Sequence, residues 1–304
     1  MYFQAVKKTP PILFVFVDGL GLGSDDPAGN PLADHKRFPA LSRLLAKSIP
    51  LDASMGAPGL PQSATGQAAL LTGLNAAQRM GRHIEGFPPP RLKEWVREYN
   101  IFSKLLAVGK TCTFANAYWL DDVAQIPPRR ESVTTVATLA AFEGVRGKAE
   151  LAANRAVYHD LTREALCERG YDGPLITPEE AAEHLISIAN DHDFTLFEFF
   201  QTDHAGHSDD KERIFRTLGK LDRFFATALH FKGLLIVTSD HGNIEDFSVR
   251  THTLNPVPLF FQCLEKQWSA CSACFQTLER IDQFTPAILR LVSGNAGEET
   301  GDCF

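Results

Sequence analysis

The feature that most constrains this chain is a set of short, continuous apolar runs that recur along its length. The first is ILFVFV, which begins at Ile12. A strand with one face in water would alternate apolar and polar residues, so an unbroken run is typical of a strand covered on both faces in a parallel sheet. Similar runs are TCTFANAY from Thr111, TLFEFF from Thr195, GLLIVTSD from Gly233 and VPLFF from Val257.

Segments with the spacing of amphipathic helices separate these runs. TPEEAAEHLISIAND places Thr177 as a cap, Pro178 at the first helical position and Glu179 in the first turn. Strands and helices that alternate in this way predict an α/β fold with a mostly parallel β-sheet sandwiched between helices. The other helical segments are PALSRLLAKS from Pro39, ATGQAALLTG from Ala64, LKEWVREYNIFSKLLAVG from Leu92, KERIFRTLGKLDRFFATALH from Lys211 and IDQFTPAILRLVSG from Ile281.

One part of the chain is less regular than the rest. It contains QIPPRRESVTTVATLAAFEG and GVRGKAELAANRA, and it lies between two sets of core elements. We therefore predict an α/β core formed by residues 1–118 and 190–304. Residues 119–189 are predicted to form a small cap or lid together with the helix that returns to the core.

Charge and hydropathy narrow the range of partners. The chain of 304 residues carries a formal net charge of -7, and it has no basic run long enough to follow a nucleic-acid backbone. The apolar run that begins at Ile12 is too short for a signal peptide or a membrane span, so we expect a cytoplasmic protein with no membrane partner. Cys271 and Cys274, in CSAC, lack the second cysteine pair or nearby histidine of a zinc site and are expected to be free thiols. The oligomeric state stays open.

Acidic and imidazole side chains occur where the apolar runs end. Asp18 ends ILFVFV, Asp203 closely follows LFEFF, and Asp240 ends LLIVTS. Parallel sheets carry their sites at the carboxyl ends of the strands. Mixed carboxylate and imidazole ligands suit zinc or manganese, and three of each can hold two divalent cations. The candidate ligands are Asp18, Asp203, His207, Asp240, His241 and His252.

Ser63, in GLPQSATGQAALLTG, is the candidate nucleophile. A turn containing Gly59 and Pro61 precedes it, and a good helix-forming segment follows it. Ser63 is therefore predicted at or near a helix N-terminus, where backbone N–H groups and the helix dipole favour a phosphate. A serine in this place is in most proteins only a cap. A metal ion at bonding distance would make it a usable nucleophile by lowering the pKa of its hydroxyl.

Five motifs together resemble the alkaline phosphatase superfamily: VDGLGLG, SATGQAALLTG, TDHAGH, TSDHGN and THTLNPVP. The last three are most similar to the cofactor-independent phosphoglycerate mutases and phosphopentomutases. The resemblance implies that Ser63 attacks a phosphoryl group to give a phosphoenzyme. It also implies two divalent cations, Mn²⁺ or Zn²⁺, one held by Asp203, His207 and His252 and the other by Asp18, Asp240, His241 and the Ser63 oxygen.

The chain departs from the relatives at several points. The mutases have a histidine in S-x-x-G-H where this chain has Gln67, and their second domain is much larger than the predicted cap. Sulfatases carry proline and arginine where this chain has Thr65 and Gln67, so sulfatase activity is disfavoured. Glu198, within an apolar strand, needs a partner, and an internal salt bridge is expected.

The leading hypothesis is a two-metal phosphohydrolase that cleaves a small phosphomonoester or phosphodiester through a phosphoserine. A phosphomutase that moves a phosphoryl group within a small metabolite is the alternative in the same chemistry. A metal-binding pseudoenzyme is the third. The candidate substrate contacts are Gly66, Gln67, Arg82, His83, Arg129, Arg130, Arg155 and His204.

Overall fold

A six-stranded sheet forms the centre of the protein, whose computed structural model describes residues 10–294. The strands lie in the order β2-β6-β5-β1-β4-β3, and β1 pairs in parallel with both β4 and β5. β3 is parallel to β4, whereas β6 is antiparallel to both β5 and β2. The strands are β1 (Ile12–Val17), β2 (Ile49–Leu51), β3 (Cys112–Phe114), β4 (Phe194–Phe199), β5 (Leu234–Thr238) and β6 (Val257–Gln262).

The mostly parallel sheet confirms the predicted fold class, but the parallel direction expected for VPLFF is wrong. This run forms β6, which is antiparallel to β5. A continuous apolar run indicates that both faces of a strand are buried, and an antiparallel strand inside a covered sheet is buried in the same way. Its direction depends on the preceding loop instead.

Helices cover both faces of the sheet. The cap predicted at Thr177 is confirmed, and it forms a capping box at the start of α9 (Pro178–Asn190): the Glu180 N–H donates to the Thr177 hydroxyl, and the Thr177 N–H donates to the Glu180 carboxylate. The single helix predicted from Leu92 is instead two, because Asn100 ends α4 and its side chain caps α5. The helices are α1 (Pro39–Leu45), α2 (Ser63–Thr72), α3 (Ala76–Met80), α4 (Pro90–Tyr99), α5 (Ile101–Ala107), α6 (Val133–Phe142), α7 (Lys148–Ala152), α8 (Glu164–Cys167), α9 (Pro178–Asn190), α10 (Gln201–Gly206), α11 (Lys211–Ala228), α12 (Trp268–Phe275) and α13 (Phe284–Ser293), with short 3-10 turns at Pro31–Ala33, Val123–Gln125, Pro128–Arg130, Glu265–Gln267 and Ile281–Gln283.

Each face of the sheet packs against its own apolar cluster. Phe14 and Phe16 of β1 join the cluster that contains α2, α5 and α13, whereas Val15 and Val17 join the cluster that contains α9 and α11. Full burial of one such side chain contributes about 1.5–3 kcal/mol. The alternation along β1 therefore fixes the central strand between two helical layers.

The segment predicted as a cap divides its packing among three clusters. Val133 of α6 joins the cluster on one face of the sheet, Leu185 of α9 joins the cluster on the other face, and Leu151 and Leu166 lie in a separate small cluster. The boundaries of the cap remain a prediction.

Two further expectations concern the surface and the thiols. Cys271 and Cys274 on α12 are buried free thiols, as predicted. Within residues 10–294, none of the helices combines the length and the apolar character that crossing a membrane demands.

Candidate metal centre and active-site cleft

Three loops deliver carboxylates to one end of the sheet. Asp18 directly follows β1, and its N–H donates to the Phe199 carbonyl at the end of β4 (3.0 Å). Asp203 lies in the first turn of α10, which follows β4, and Asp240 follows β5. Because these three strands are adjacent and parallel, the acids meet at their shared carboxyl end.

The acids and imidazoles form two groups of three residues. Within each group, the ligand atoms lie within 4.8 Å of one another. In the first group, the Nε2 atoms of His207 and His252 lie 3.3 and 3.4 Å from Asp203 Oδ1. In the second, His241 Nε2 lies 3.2 Å from Asp18 Oδ1 and 3.5 Å from Asp240 Oδ2. The structure thus brings together both ligand sets that the resemblance implies: Asp203, His207 and His252, and Asp18, Asp240 and His241.

The three imidazoles share one orientation. Each directs Nδ1 at a backbone carbonyl, to which an Nδ1–H can donate. That tautomer leaves the lone pair on Nε2, which faces the carboxylates, and this is the arrangement that metal-binding histidines use. The carbonyls are those of Arg250 for His207 (2.8 Å), Pro61 for His252 (2.8 Å) and Gly242 for His241 (3.3 Å).

The carboxylates lack enough hydrogen-bond donors to be stable as buried anions. Among the residues that the structure describes, Asp18 Oδ1 and Asp240 Oδ2 are buried and have no hydrogen-bond partner. Burial, followed by the nearby charges of Asp18 and Asp203, raises the pKa of Asp240 well above its usual range. Burial opposes a charge on His241, but Asp18, Asp203 and the Gly242 backbone together outweigh it and raise the pKa of that imidazole. Divalent cations fit this donor set because they supply the missing positive charge.

Ser63 is the first residue of α2. Gln62 precedes it as the cap residue, and the Ser63 hydroxyl lies 3.0 Å from His241 Nε2. The hydroxyl therefore faces the second ligand group, and capping does not account for its position. The prediction that Ser63 lies at a helix N-terminus is confirmed.

Two residues next to Ser63 support the ligands. A Cβ on Gly66 would lie 2.7 Å from the Asp240 carbonyl oxygen, so glycine allows α2 to approach the end of β5. Gln67 is buried, and its Nε2 donates to Asp18 Oδ2 (3.1 Å). Both were candidate substrate contacts, and the structure places Gly66 against Asp240 and Gln67 against Asp18.

Sequence reasoning missed Glu245, whose carboxylate joins three loops. Its side chain is 1% exposed. Asn243, which the same loop supplies, donates from Nδ2 to Asp203 Oδ1 (2.7 Å). Both residues follow Asp240 and His241 closely, which was the only available signal. The donors to the Glu245 carboxylate are Gly21 N (3.0 Å), Asn243 N (2.7 Å), Thr253 Oγ1 (2.5 Å) and Asn255 Nδ2 (3.0 Å).

A cleft of about 690 Å³ opens beside Ser63, Asp18 and Asp203. Aromatic residues form much of its lining. Of the candidate substrate contacts, Gln67, Arg130 and His204 line this cleft, whereas Arg82, His83, Arg129 and Arg155 do not.

Glu198 also lines the cleft, and the salt bridge expected for it is wrong. Its partner is a hydroxyl: Thr134 Oγ1 donates to Glu198 Oε2 (2.6 Å). Burial raises the pKa of Glu198 to about 8. Glu198 can therefore stay protonated at this buried position, where its ionised carboxylate would need a cation beside it.

Replacing Glu198 by glutamine is expected to flatten the pH dependence of stability in metal-free protein. The folded-state pKa of about 8 lies above the ordinary value of 4.5. The unfolded chain therefore loses this proton first, and the free energy of unfolding falls, on the order of a few kcal/mol, as the pH rises through that window. Urea unfolding in chelator at the two ends of the window checks this. Equal declines in the wild type and in Glu198→Gln would contradict it.

The family model described as the Metalloenzyme superfamily matches residues 10–292, a range that contains every candidate ligand. The chain belongs to this superfamily. Its members include metal-dependent phosphoesterases and mutases, which supports an enzyme.

Relatives within the superfamily are distant. The 2,3-bisphosphoglycerate-independent phosphoglycerate mutase of Mycoplasma genitalium is 25% identical over 193 residues, which are 59% of this chain and 32% of the mutase. The chain thus matches about a third of the length of that curated relative.

Solved structures share the superfamily fold. A protein from Pyrococcus horikoshii aligns with a TM-score of 0.55 and 15% identity, over 97% of this chain and 99% of its own. The alkaline phosphatase from the Antarctic bacterium TAB5 aligns with a TM-score of 0.52 and 14% identity, over 94% and 98%. At these identities the two structures show the fold alone, and they confirm the predicted α/β architecture.

Proposed function

We propose that this protein is a two-metal phosphohydrolase that cleaves a small phosphomonoester or phosphodiester through a phosphoserine at Ser63. The observation that carries the proposal is the Ser63 hydroxyl, 3.0 Å from His241 Nε2 at the first turn of α2. A hydroxyl at a helix N-terminus beside two cation sites has the surroundings of an activated nucleophile.

Two divalent cations, Mn²⁺ or Zn²⁺, would be held by the two ligand groups. Asp203, His207 and His252 would hold one; the other would be held by Asp18, Asp240, His241 and the Ser63 oxygen. Such a pair lowers the pKa of a hydroxyl and stabilises the attacking and leaving oxygens of an in-line displacement. The unpartnered oxygens of Asp18 and Asp240 support this assignment.

The chain supplies the nucleophile and holds the phosphoryl group. Ser63 Oγ forms a bond to phosphorus as the ester P–O bond breaks, and the alcohol leaves with the serine proton. Water then attacks the phosphoserine and restores the hydroxyl, which releases inorganic phosphate when the substrate is a monoester and a phosphomonoester when it is a diester. The N-terminus of α2 favours the phosphoryl group by its dipole throughout.

Analysis of the products separates this proposal from the two alternatives. With phosphomonoesters, the metal-loaded protein is expected to give equal amounts of alcohol and inorganic phosphate, and with phosphodiesters equal amounts of alcohol and phosphomonoester. A product that keeps its phosphate would favour a phosphomutase, for which DHGN, THTLNPVP and the mutase relative are the supporting observations. No reaction with any phosphomonoester or diester would leave the pseudoenzyme. A metal analysis of the same preparation distinguishes manganese from zinc.

A further inference from the structure

The cleft beside Ser63 has an aromatic wall that the reaction chemistry does not require. Eight of its lining side chains carry aromatic rings, and they come from four separate segments of the chain. Attack on a phosphoryl group needs ligands, a nucleophile and anion contacts, but no rings. The eight are Phe87, Phe114, Tyr118, Trp119, Tyr158, His159, Phe200 and His204.

The rings along one side are held in place by their own contacts. His159 and Phe200 lie with centroids 4.4 Å apart and planes tilted by 31°. Gln201 Nε2 lies 2.8 Å from His159 Nδ1, within hydrogen-bond reach, and burial lowers the pKa of that imidazole to about 4, so the ring is neutral at pH 7. The pair therefore forms an uncharged, oriented platform in the cleft that Asp203 also lines.

The polar edges of the wall are already hydrogen-bonded. Trp119 Nε1 donates to the Arg169 carbonyl (3.2 Å), and Arg169 Nη1 donates to the Tyr158 hydroxyl (3.2 Å). The amide of Asn116 pairs with the Glu198 backbone, donating at 2.7 Å and accepting at 2.8 Å. These groups are poorly placed to recognise the hydroxyls of a sugar or a glycerate.

Phe87 brings a further ring to the cleft, and its side chain is 52% exposed. A phenylalanine this exposed beside a candidate active site loses water contact when an apolar group covers it. The cleft volume of about 690 Å³ is far larger than a phosphoryl group needs and is within the range of sites for drug-sized ligands.

We infer that the alcohol part of the substrate carries a planar aromatic ring, as in a nucleotide or an aryl ester, and that this ring lies against the aromatic wall. The inference rests on the proposed function for the position of the phosphoryl group at Ser63. A ring bound there contributes apolar burial and stacking, which are tolerant of the ring's identity. The substrate class is therefore set by the cleft, separately from the ligand groups.

Adenosine monophosphate and ribose phosphate, esterified at the same primary alcohol, are a matched pair of substrates. They share the leaving group and differ in the ring, so intrinsic reactivity does not bias the comparison. The metal-loaded protein is expected to hydrolyse the nucleotide with a kcat/KM about tenfold higher or more. Equal kcat/KM values with phosphate released from both would overturn the inference and leave the proposed function standing.

Binding to Ser63→Ala gives a second readout that needs no turnover. Phenylphosphonate is expected to bind about tenfold more tightly than methylphosphonate, measured by calorimetry. If neither ester releases phosphate but phenylphosphonate keeps this advantage, the proposed function fails and the inference stands. Equal binding of the two phosphonates would overturn the inference even if turnover occurs.

Variants of the aromatic wall test whether these rings cause the preference for the nucleotide over ribose phosphate. Trp119→Leu and Phe200→Leu keep an apolar side chain but remove a ring, and each is expected to lower the nucleotide-to-ribose ratio of kcat/KM several-fold. Trp268→Leu is the control, because Trp268 stacks on Phe261 and does not line the cleft. A ratio that falls equally in all three variants, or in none, would contradict a role for the wall.

Discussion

Replacing Ser63 by alanine is expected to lower the rate of phosphate release by on the order of a thousandfold or more. The variant keeps α2 and the six carboxylate and imidazole ligands but lacks the oxygen that would attack phosphorus. Measurement of kcat with a phosphate ester, at matched metal content, checks this. The loss should appear in kcat, because the cleft that binds the ester is unchanged.

The matched control for this substitution is Ser272→Ala on α12, a serine outside both the ligand groups and the cleft. It is expected to keep wild-type turnover. Metal-dependent turnover that persists unchanged in Ser63→Ala would show that another group, such as water, attacks the phosphoryl group directly.

The second large effect concerns the metal ions. His252→Ala and His241→Ala each remove one imidazole from a different ligand group, so each is expected to lower the bound metal from about two ions to about one. Phosphate release should fall in both variants, since the reaction uses both sites. Metal analysis after dialysis gives the count. His230→Ala, an exposed histidine beyond α11, is the control and should keep both ions.

Protons compete with the metal ion for His241, so binding of the second ion is expected to depend on pH. The pKa of His241 is raised by Asp18 against the effect of burial. Metal binding requires the imidazole to be deprotonated, so loss of the second ion should begin at a higher pH than an ordinary histidine would allow.

Retention of two ions by His241→Ala and by His252→Ala would contradict both ligand sets.

The ligand sets could be predicted because their signal is local. Asp18 and Asp240 directly follow apolar runs, and the residue types alone suit a divalent cation. Buried parallel strands bring such ends together whatever the loops between them contain. This is why the candidate ligands could be expected at one end of the sheet, whereas their division into two groups was implied by the family resemblance; the structure brings both groups together, and their metal binding stays a prediction.

The supporting contacts could not be predicted, because they depend on how separate loops pack. Glu245 accepts from groups in three loops, and nothing in its own neighbourhood indicates those donors. The aromatic wall has the same origin: Phe87 and Phe200 lie far apart in the chain and line the same cleft only in the folded protein. The partner of Glu198 was also hidden, because Thr134 lies on a helix in a segment that the sequence pattern left irregular.

The central claim is that a phosphoryl group passes through Ser63. Metal-loaded protein mixed with substrate, quenched in acid and digested, is expected to yield one phosphorylated peptide, with the phosphate on Ser63. The amount trapped should fall as inorganic phosphate is released. A protein that hydrolyses the substrate while Ser63 stays unmodified at every quench time, or that carries the phosphate on another residue, would contradict the claim.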